Sequence, residues 1–100
     1  MYDCPIIILD DADLELAVRL AVMGGFGLTG QSCTATSRVI AEEPIADAFV
    51  AALAEAARKL AVGNGLEAGV QMGPAVNRAQ LETDHEYMSI GLSEGAKLVA

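Results

Sequence analysis

Cys33 is the residue best placed for chemistry by covalent attack. It stands in Gly30-Gln31-Ser32-Cys33-Thr34-Ala35-Thr36-Ser37-Arg38, among hydroxyl, amide and guanidinium donors rather than apolar side chains. The thiolate is the reactive form of cysteine; polar donors favour it, whereas an apolar setting leaves a thiol inert. A helical pattern precedes the segment and a short apolar run follows it. It therefore reads as a loop on a scaffold, with backbone N–H groups free to hold a developing oxyanion. On residue types alone a nucleophile and a merely packed thiol both fit. Cys4, beside Pro5 and an apolar run, reads as structural.

Three other clusters carry chemistry-bearing types, and each has a plainer reading. Gly25-Phe26-Gly27-Leu28-Thr29-Gly30 has the G-x-G-x-x-G spacing. That fingerprint needs a strand before it and a helix opening after it, so that amides face a pyrophosphate. A helical pattern precedes it here, so these glycines read as turn formers and no residue of the chain is assigned to cofactor binding. Asp10, Asp11 and Asp13 offer carboxylate oxygens to a hard cation, yet no glycine-centred calcium loop follows and an apolar helix begins at once, which favours capping. His85 lies among Glu82, Asp84 and Glu86 without a partner at ligand spacing, so no metal site is expected.

The elements that must position Cys33 follow from periodicity. Pro5 to Leu9 is a continuous apolar run, which predicts a strand buried on both faces, as in a parallel sheet covered by helices. Behind the acidic cap, Leu14, Ala17, Val18, Ala21 and Val22 recur at helical spacing, and the helix should fail near Gly24-Gly25. Residues 26–38 form a turn and loop with room for a short helical stretch, then Val39-Ile40-Ala41 a second short strand. Pro44 suits a first helical turn, and Ile45, Phe49, Ala52, Leu53, Ala56 and Leu60 make an apolar stripe behind it. A turn-rich stretch from Gly63 to Pro74 leads to a third helix, with Val76, Ala79, Thr83, Tyr87 and Ile90 on one face and Gly91 and Gly95 at its end. Ala96 to Val99 reads as a last strand. The order β, α, loop, β, α, loop, α, β is that of an α/β layered sheet.

Composition bounds the partners. One hundred residues, 53% of them hydrophobic, contain only two Tyr, two Phe and no Trp. A domain of this size hides only about two thirds of its unfolded surface, so such an apolar chain calls for self-association or for packing against further protein. A net charge of -8 disfavours phosphate backbones, and no nucleic-acid partner is expected. The run Ala21 to Leu28 is far shorter than the roughly 20 residues a bilayer needs, and Met1 to Cys4 lacks a basic leader. These features predict a cytoplasmic protein with no membrane partner and both cysteines reduced.

Phe26-x-x-x-Gly30-Gln31-x-Cys33-Thr34-Ala35-x-Ser37-Arg38 resembles the active-site cysteine signature of the NAD(P)-dependent aldehyde dehydrogenase superfamily. The likeness extends along the chain. Pro5 to Asp13 is similar to the strand and acidic cap that precede that signature. Val62-Gly63-Asn64 with Gln71-Met72-Gly73-Pro74 resembles the family's turn segment, and Ser93 to Leu98 its glycine-containing lead into the next strand. The pattern around Leu28 and Cys33 looks most like the 2,5-dioxovalerate (α-ketoglutarate semialdehyde) dehydrogenases.

The resemblance implies that residues 1–100 are a fragment of one parallel-sheet catalytic domain, with the cofactor-binding and oligomerisation segments elsewhere. It implies that Cys33 attacks a small aldehyde substrate to give a thiohemiacetal, that hydride passes to NAD or NADP, and that water hydrolyses the thioester. The backbone N–H of Cys33 would form part of the oxyanion hole. The family's general-base glutamate belongs to a Glu-Leu-Gly-Gly-Lys segment that counting back from Cys33 places just before Met1. The isolated chain is therefore expected to be inactive. Two other classes use the same residues: a non-catalytic interaction module that buries its open sheet edges, and a thiol redox protein built on Cys33.

Overall fold

The computed structural model describes residues 3–100. Two strands, β1 (Cys4–Ile8) and β2 (Thr36–Ala41), pair in parallel, and the connection between them contains helix α1 (Leu14–Phe26). Helix α2 (Glu43–Arg58) follows β2 after a single residue, and α3 (Arg78–Ser93) comes after a long irregular stretch. The parallel α/β order expected from the sequence is therefore present as far as α3.

Local chemistry explains each start. The Asp13 carboxylate accepts from the Leu16 N–H at 3.0 Å and caps α1, so the acidic cluster does the work of a helix start. Pro44, in the first turn of α2, has no N–H to leave unpaired there. Glu42, just before α2, accepts instead from the Asp10 N–H at 2.6 Å, which ties the ends of β1 and β2 together. Asn77 caps α3 through the Gln80 N–H at 2.9 Å.

The core lies between the sheet and the first two helices. Ile8 from β1, Ala17 and Ala21 from α1, and Ile45 and Phe49 from α2 form one buried cluster, with Val39 and Ala41 of β2 packed against it. Small alanines let α1 approach closely, and Phe49, only 2% exposed, fills the space they leave.

Several boundaries differ from the sequence reading, each for a physical reason. Strand β1 is covered on one face only: Ile6 and Ile8 turn inward, while Ile7 is 66% exposed and its neighbour Ile40 on β2 is 54% exposed. Ile7 and Ile40 make the outer side apolar as well, but the helices of these residues cover just the inner one. Helix α1 runs one residue past Gly24-Gly25, to Phe26, and an added Cβ at Gly24 would lie 2.3 Å from Thr36 Oγ1. Gly24 marks a close helix–strand approach rather than an end. Strand β2 begins at Thr36 and not at Val39.

The expected last strand, Ala96 to Val99, forms no strand. Gly95 takes φ +95°, and the Ala96 N–H turns back to the Gly91 carbonyl at 3.0 Å, closing the end of α3 rather than entering a ladder. Among the described residues, no helix is long and apolar enough to cross a membrane.

Candidate active site

Three consecutive residues after α1 set the position of Cys33. Leu28 (φ 51°), Thr29 (φ 58°) and Gly30 (φ 68°) all adopt the left-handed conformation inside a 3₁₀ turn, Gly27–Gly30. Glycine does so freely, but leucine and especially a β-branched threonine pay about 1–2 kcal/mol each. Such strain persists only where the surroundings over-determine it, and it concentrates at functional sites. Here the Thr29 hydroxyl donates to the Gly73 carbonyl at 3.2 Å, and the Gln31 N–H closes on the Leu28 carbonyl at 3.1 Å.

The chain then turns once more. The Ala35 N–H donates to the Ser32 carbonyl at 3.1 Å, which makes Ser32–Ala35 a turn with Cys33 at its second position. The Ser32 and Thr34 hydroxyls meet at 3.1 Å across it. Cys33 is exposed, and among the described residues no oxygen accepts from its backbone N–H. A thiol in reach of solvent beside an unspent N–H has the two groups that attack on a carbonyl requires, a nucleophile and an oxyanion donor.

Beneath the turn, the sheet carries an irregularity. Cys4 pairs with Thr36 but Pro5 with Arg38, so β2 has one extra residue, Ser37, at this point. Pro5 has no N–H to give the ladder, which is where a bulge costs least. The Ser37 hydroxyl accepts from the Cys4 N–H at 3.1 Å and donates to the Asp3 carboxylate at 2.6 Å, and Arg38 pairs with the other Asp3 oxygen. The thiol of Cys4 donates to the Cys33 carbonyl at 3.8 Å.

The structure thus places Cys33 as the sequence suggested, on a loop between a helix end and a strand. It also shows what residue types did not signal: Cys4 lies next to Cys33, Thr29 pins the preceding turn, and Ser37 is a bulge. Pro5 was the one readable hint, because a proline inside a strand pattern marks a bulge or an edge. The Gly25–Gly30 stretch does not fit a dinucleotide cradle, since Gly25 lies inside α1 and the segment leads to a turn, not to a helix start. Asp13 is occupied as a cap and His85 sits on the exposed α3. Among the described residues no group of three or more His, Cys, Asp or Glu side chains could hold a metal ion.

Comparison with known proteins agrees along the length of the chain. The aldehyde dehydrogenase family profile matches residues 3–100. The chain is 52% identical over 88 residues to the 2,5-dioxopentanoate dehydrogenase of Saccharolobus solfataricus, a match spanning 88% of this chain and 18% of that protein. A crystal structure of betaine aldehyde dehydrogenase from Staphylococcus aureus in complex with NAD+ aligns with TM-score 0.94 and 39% identity, over 97% of this chain and 19% of that one. An E. coli NADP dependent enzyme aligns with TM-score 0.95 and 33% identity, over 99% of this chain and 21% of that one. The chain therefore spans only a small part of the length of these relatives.

Proposed function

The chain belongs to the aldehyde dehydrogenase family, and from that premise we propose that Cys33 is the nucleophile in the oxidation of an aldehyde to a carboxylate. The observation that carries this reading is the exposed thiol on a turn held by strained left-handed residues, beside a backbone N–H with no acceptor among the described residues. The Cys33 thiolate attacks the aldehyde carbon, and the carbonyl oxygen gains negative charge as its π bond opens. The Cys33 N–H lies on the nucleophile's own residue, where it can donate to that oxygen. The Thr29–Gly73 bond and the Ser32–Ala35 turn hold the loop while this happens.

NAD or NADP, named with solved relatives, would supply the hydride acceptor. None of the residues described here fits it, so we assign its binding, and the general base, to parts of the enzyme outside these 100 residues. Residues 1–100 then form a fragment of a single catalytic domain. The substrate we assign is 2,5-dioxovalerate, on the strength of the 52% identity to the enzyme named for it.

A chimera tests the reading. The matching segment of the Staphylococcus aureus betaine aldehyde dehydrogenase is replaced by these residues, and NADH formation is followed by absorbance. The chimera should oxidise aldehyde, and Cys33→Ser within it should lower kcat at least about a thousandfold. A Cys33→Ser chimera that keeps its rate would sink the assignment. The purified 100-residue chain alone should form no NADH, and turnover like that of an intact enzyme would overturn the fragment reading.

A second reading rests on a different observation. Helix α3 buries none of its residues, and Leu81, Tyr87, Met88, Ile90 and Leu92 stand exposed on it. Such a surface suits packing against a second copy or against more of the parent enzyme. Light scattering across a concentration series decides for the isolated chain, since a monomer at every concentration removes self-association.

A further inference from the structure

We propose that Cys4 is a resolving thiol for Cys33, so that a hydroperoxide converts the pair to an intramolecular disulfide that caps the nucleophile reversibly. The bond itself depends only on the placement of the two thiols; its consequence for catalysis rests on the reading of Cys33 given above.

The chain has two cysteines, and the fold brings Cys4 Sγ to 3.8 Å from the carbonyl oxygen of Cys33. Parallel pairing starts at Cys4 opposite Thr36, and Thr36 immediately follows the turn that carries Cys33. The two residues also differ in freedom. The backbone of Cys4 is fixed by the ladder and by the Ser37 hydroxyl at 3.1 Å, whereas Cys33 sits exposed in a four-residue turn. A disulfide needs the two Cβ atoms about 3.5–4.5 Å apart. The adjustment falls on the exposed Cys33 side chain, by rotation about its Cα–Cβ bond, while the backbones of the turn and of Cys4 keep their places.

Exposure also sets the order of events. Cys33 meets the oxidant first, while the half-buried Cys4 is held back from it. The Cys33 thiolate attacks one peroxide oxygen, the O–O bond breaks, and the alkoxide or hydroxide that leaves takes up a proton, giving a sulfenic acid. Cys4 sulfur then attacks Cys33 sulfur, the S–O bond breaks, and the Cys4 proton leaves with the hydroxyl as water. In sum, two thiols and one hydrogen peroxide give one disulfide and two waters. Without Cys4 the chain holds no second thiol to resolve the sulfenic acid, and excess peroxide carries it to the irreversible sulfinic and sulfonic acids.

The experiment uses the 100-residue chain, one equivalent of hydrogen peroxide and then an excess, with intact mass and non-reducing peptide mapping as readouts. The wild type should lose about 2 Da, with the peptides containing Cys4 and Cys33 joined, and dithiothreitol should restore both. Cys4→Ser, checked for native secondary structure by circular dichroism, should instead gain about 32 or 48 Da on Cys33 that dithiothreitol does not remove. Should Cys4→Ser fail to fold, the linked wild-type peptides and their reduction stand as the test. A wild type that over-oxidises Cys33 without linkage, or that links only between chains, overturns the proposal. That failure would leave the Cys33→Ser result in the chimera untouched, and loss of the nucleophile reading would leave the linked peptides untouched.

Discussion

Of the first 58 residues 34 are hydrophobic and of the last 42 residues 19 are, yet the two regions differ far more in how they use them. Ile8, Ala17, Ala21, Ile45, Phe49 and Ala54, the buried hydrophobic residues, all belong to the first region. Helix α3 in the second region buries none. It is held by its own local bonds: the Asn77 cap, Gln80 to Asp84 at 2.7 Å, and the Thr83 hydroxyl to the Ala79 carbonyl at 3.0 Å. Apolar content becomes a core only where two or more faces meet, and α1 and α2 meet over the sheet while α3 meets little. The loop that carries Cys33 is built on the packed region and borrows a single side-chain bond, Thr29 to Gly73, from the other.

The sharpest way to break this contrast is to truncate one large aromatic in each region. Phe49→Ala should cost about 3–5 kcal/mol in thermal or urea unfolding, since it empties the centre of the cluster. Tyr87→Ala, on a residue that is 69% exposed, should stay within about 0.5 kcal/mol. Equal losses would mean that α3 shares the core after all.

A smaller effect sharpens the account of how α1 meets β2. Gly24→Ala gains about 1 kcal/mol of helix propensity but forces a Cβ into Thr36, where overpacking costs about 1–3 kcal/mol. A net loss of about 1 kcal/mol is expected in urea titration. In a Thr36→Ala background the same change should become stabilising, and loss in both backgrounds would rule out the contact as the cause.

Thr29→Val cuts the side-chain bond between the loop that carries Cys33 and the second region. It should lower stability by about 0.5–1.5 kcal/mol and speed amide hydrogen exchange between residues 62 and 74 more than in α1. Uniform exchange would show that the two regions open together.

The smallest effect lies at the junction. Glu55, through a hydrogen bond from Lys59 and that residue's charge, is held below the ordinary carboxylate range. A depressed folded-state value means that the pair adds stability above the unfolded carboxylate range and loses it as pH falls through the depressed value. Lys59→Ala should return the Glu55 titration, followed by side-chain NMR, toward its ordinary position; an unmoved midpoint would refute the cause.

Legibility in the sequence follows the same divide. Helices α1 and α2 could be read from apolar spacing and caps because their stripes are used in packing. The stripe read on α3, from Val76 to Ile90, has the right period for a helix but finds nothing to pack on, and Ala96 to Val99 has strand residues without a strand to pair with. Periodicity records what a face is suited to, and only neighbours decide whether it is filled. At the site, Cys33 was legible because its polar surroundings are adjacent in sequence. Cys4 was not, since its nearness depends on the register of two strands separated by a helix. Leu28 and Thr29 were hidden for another reason: their left-handed backbone runs against the preferences of both residue types.

The Ser37 bulge has a further consequence. Side chains on a strand alternate, so a one-residue change in the loop before β2 would ordinarily send Val39 and Ala41 out of the core and Ile40 into it. The bulge acts as a slip joint between the loop that carries Cys33 and the sheet. Below it the phase is locked by Ile8 and its neighbours, and above it the turn bearing Cys33 has room to change length by one residue without reaching the hydrophobic cluster. The fold thereby separates the tolerance of its chemistry from the tolerance of its core.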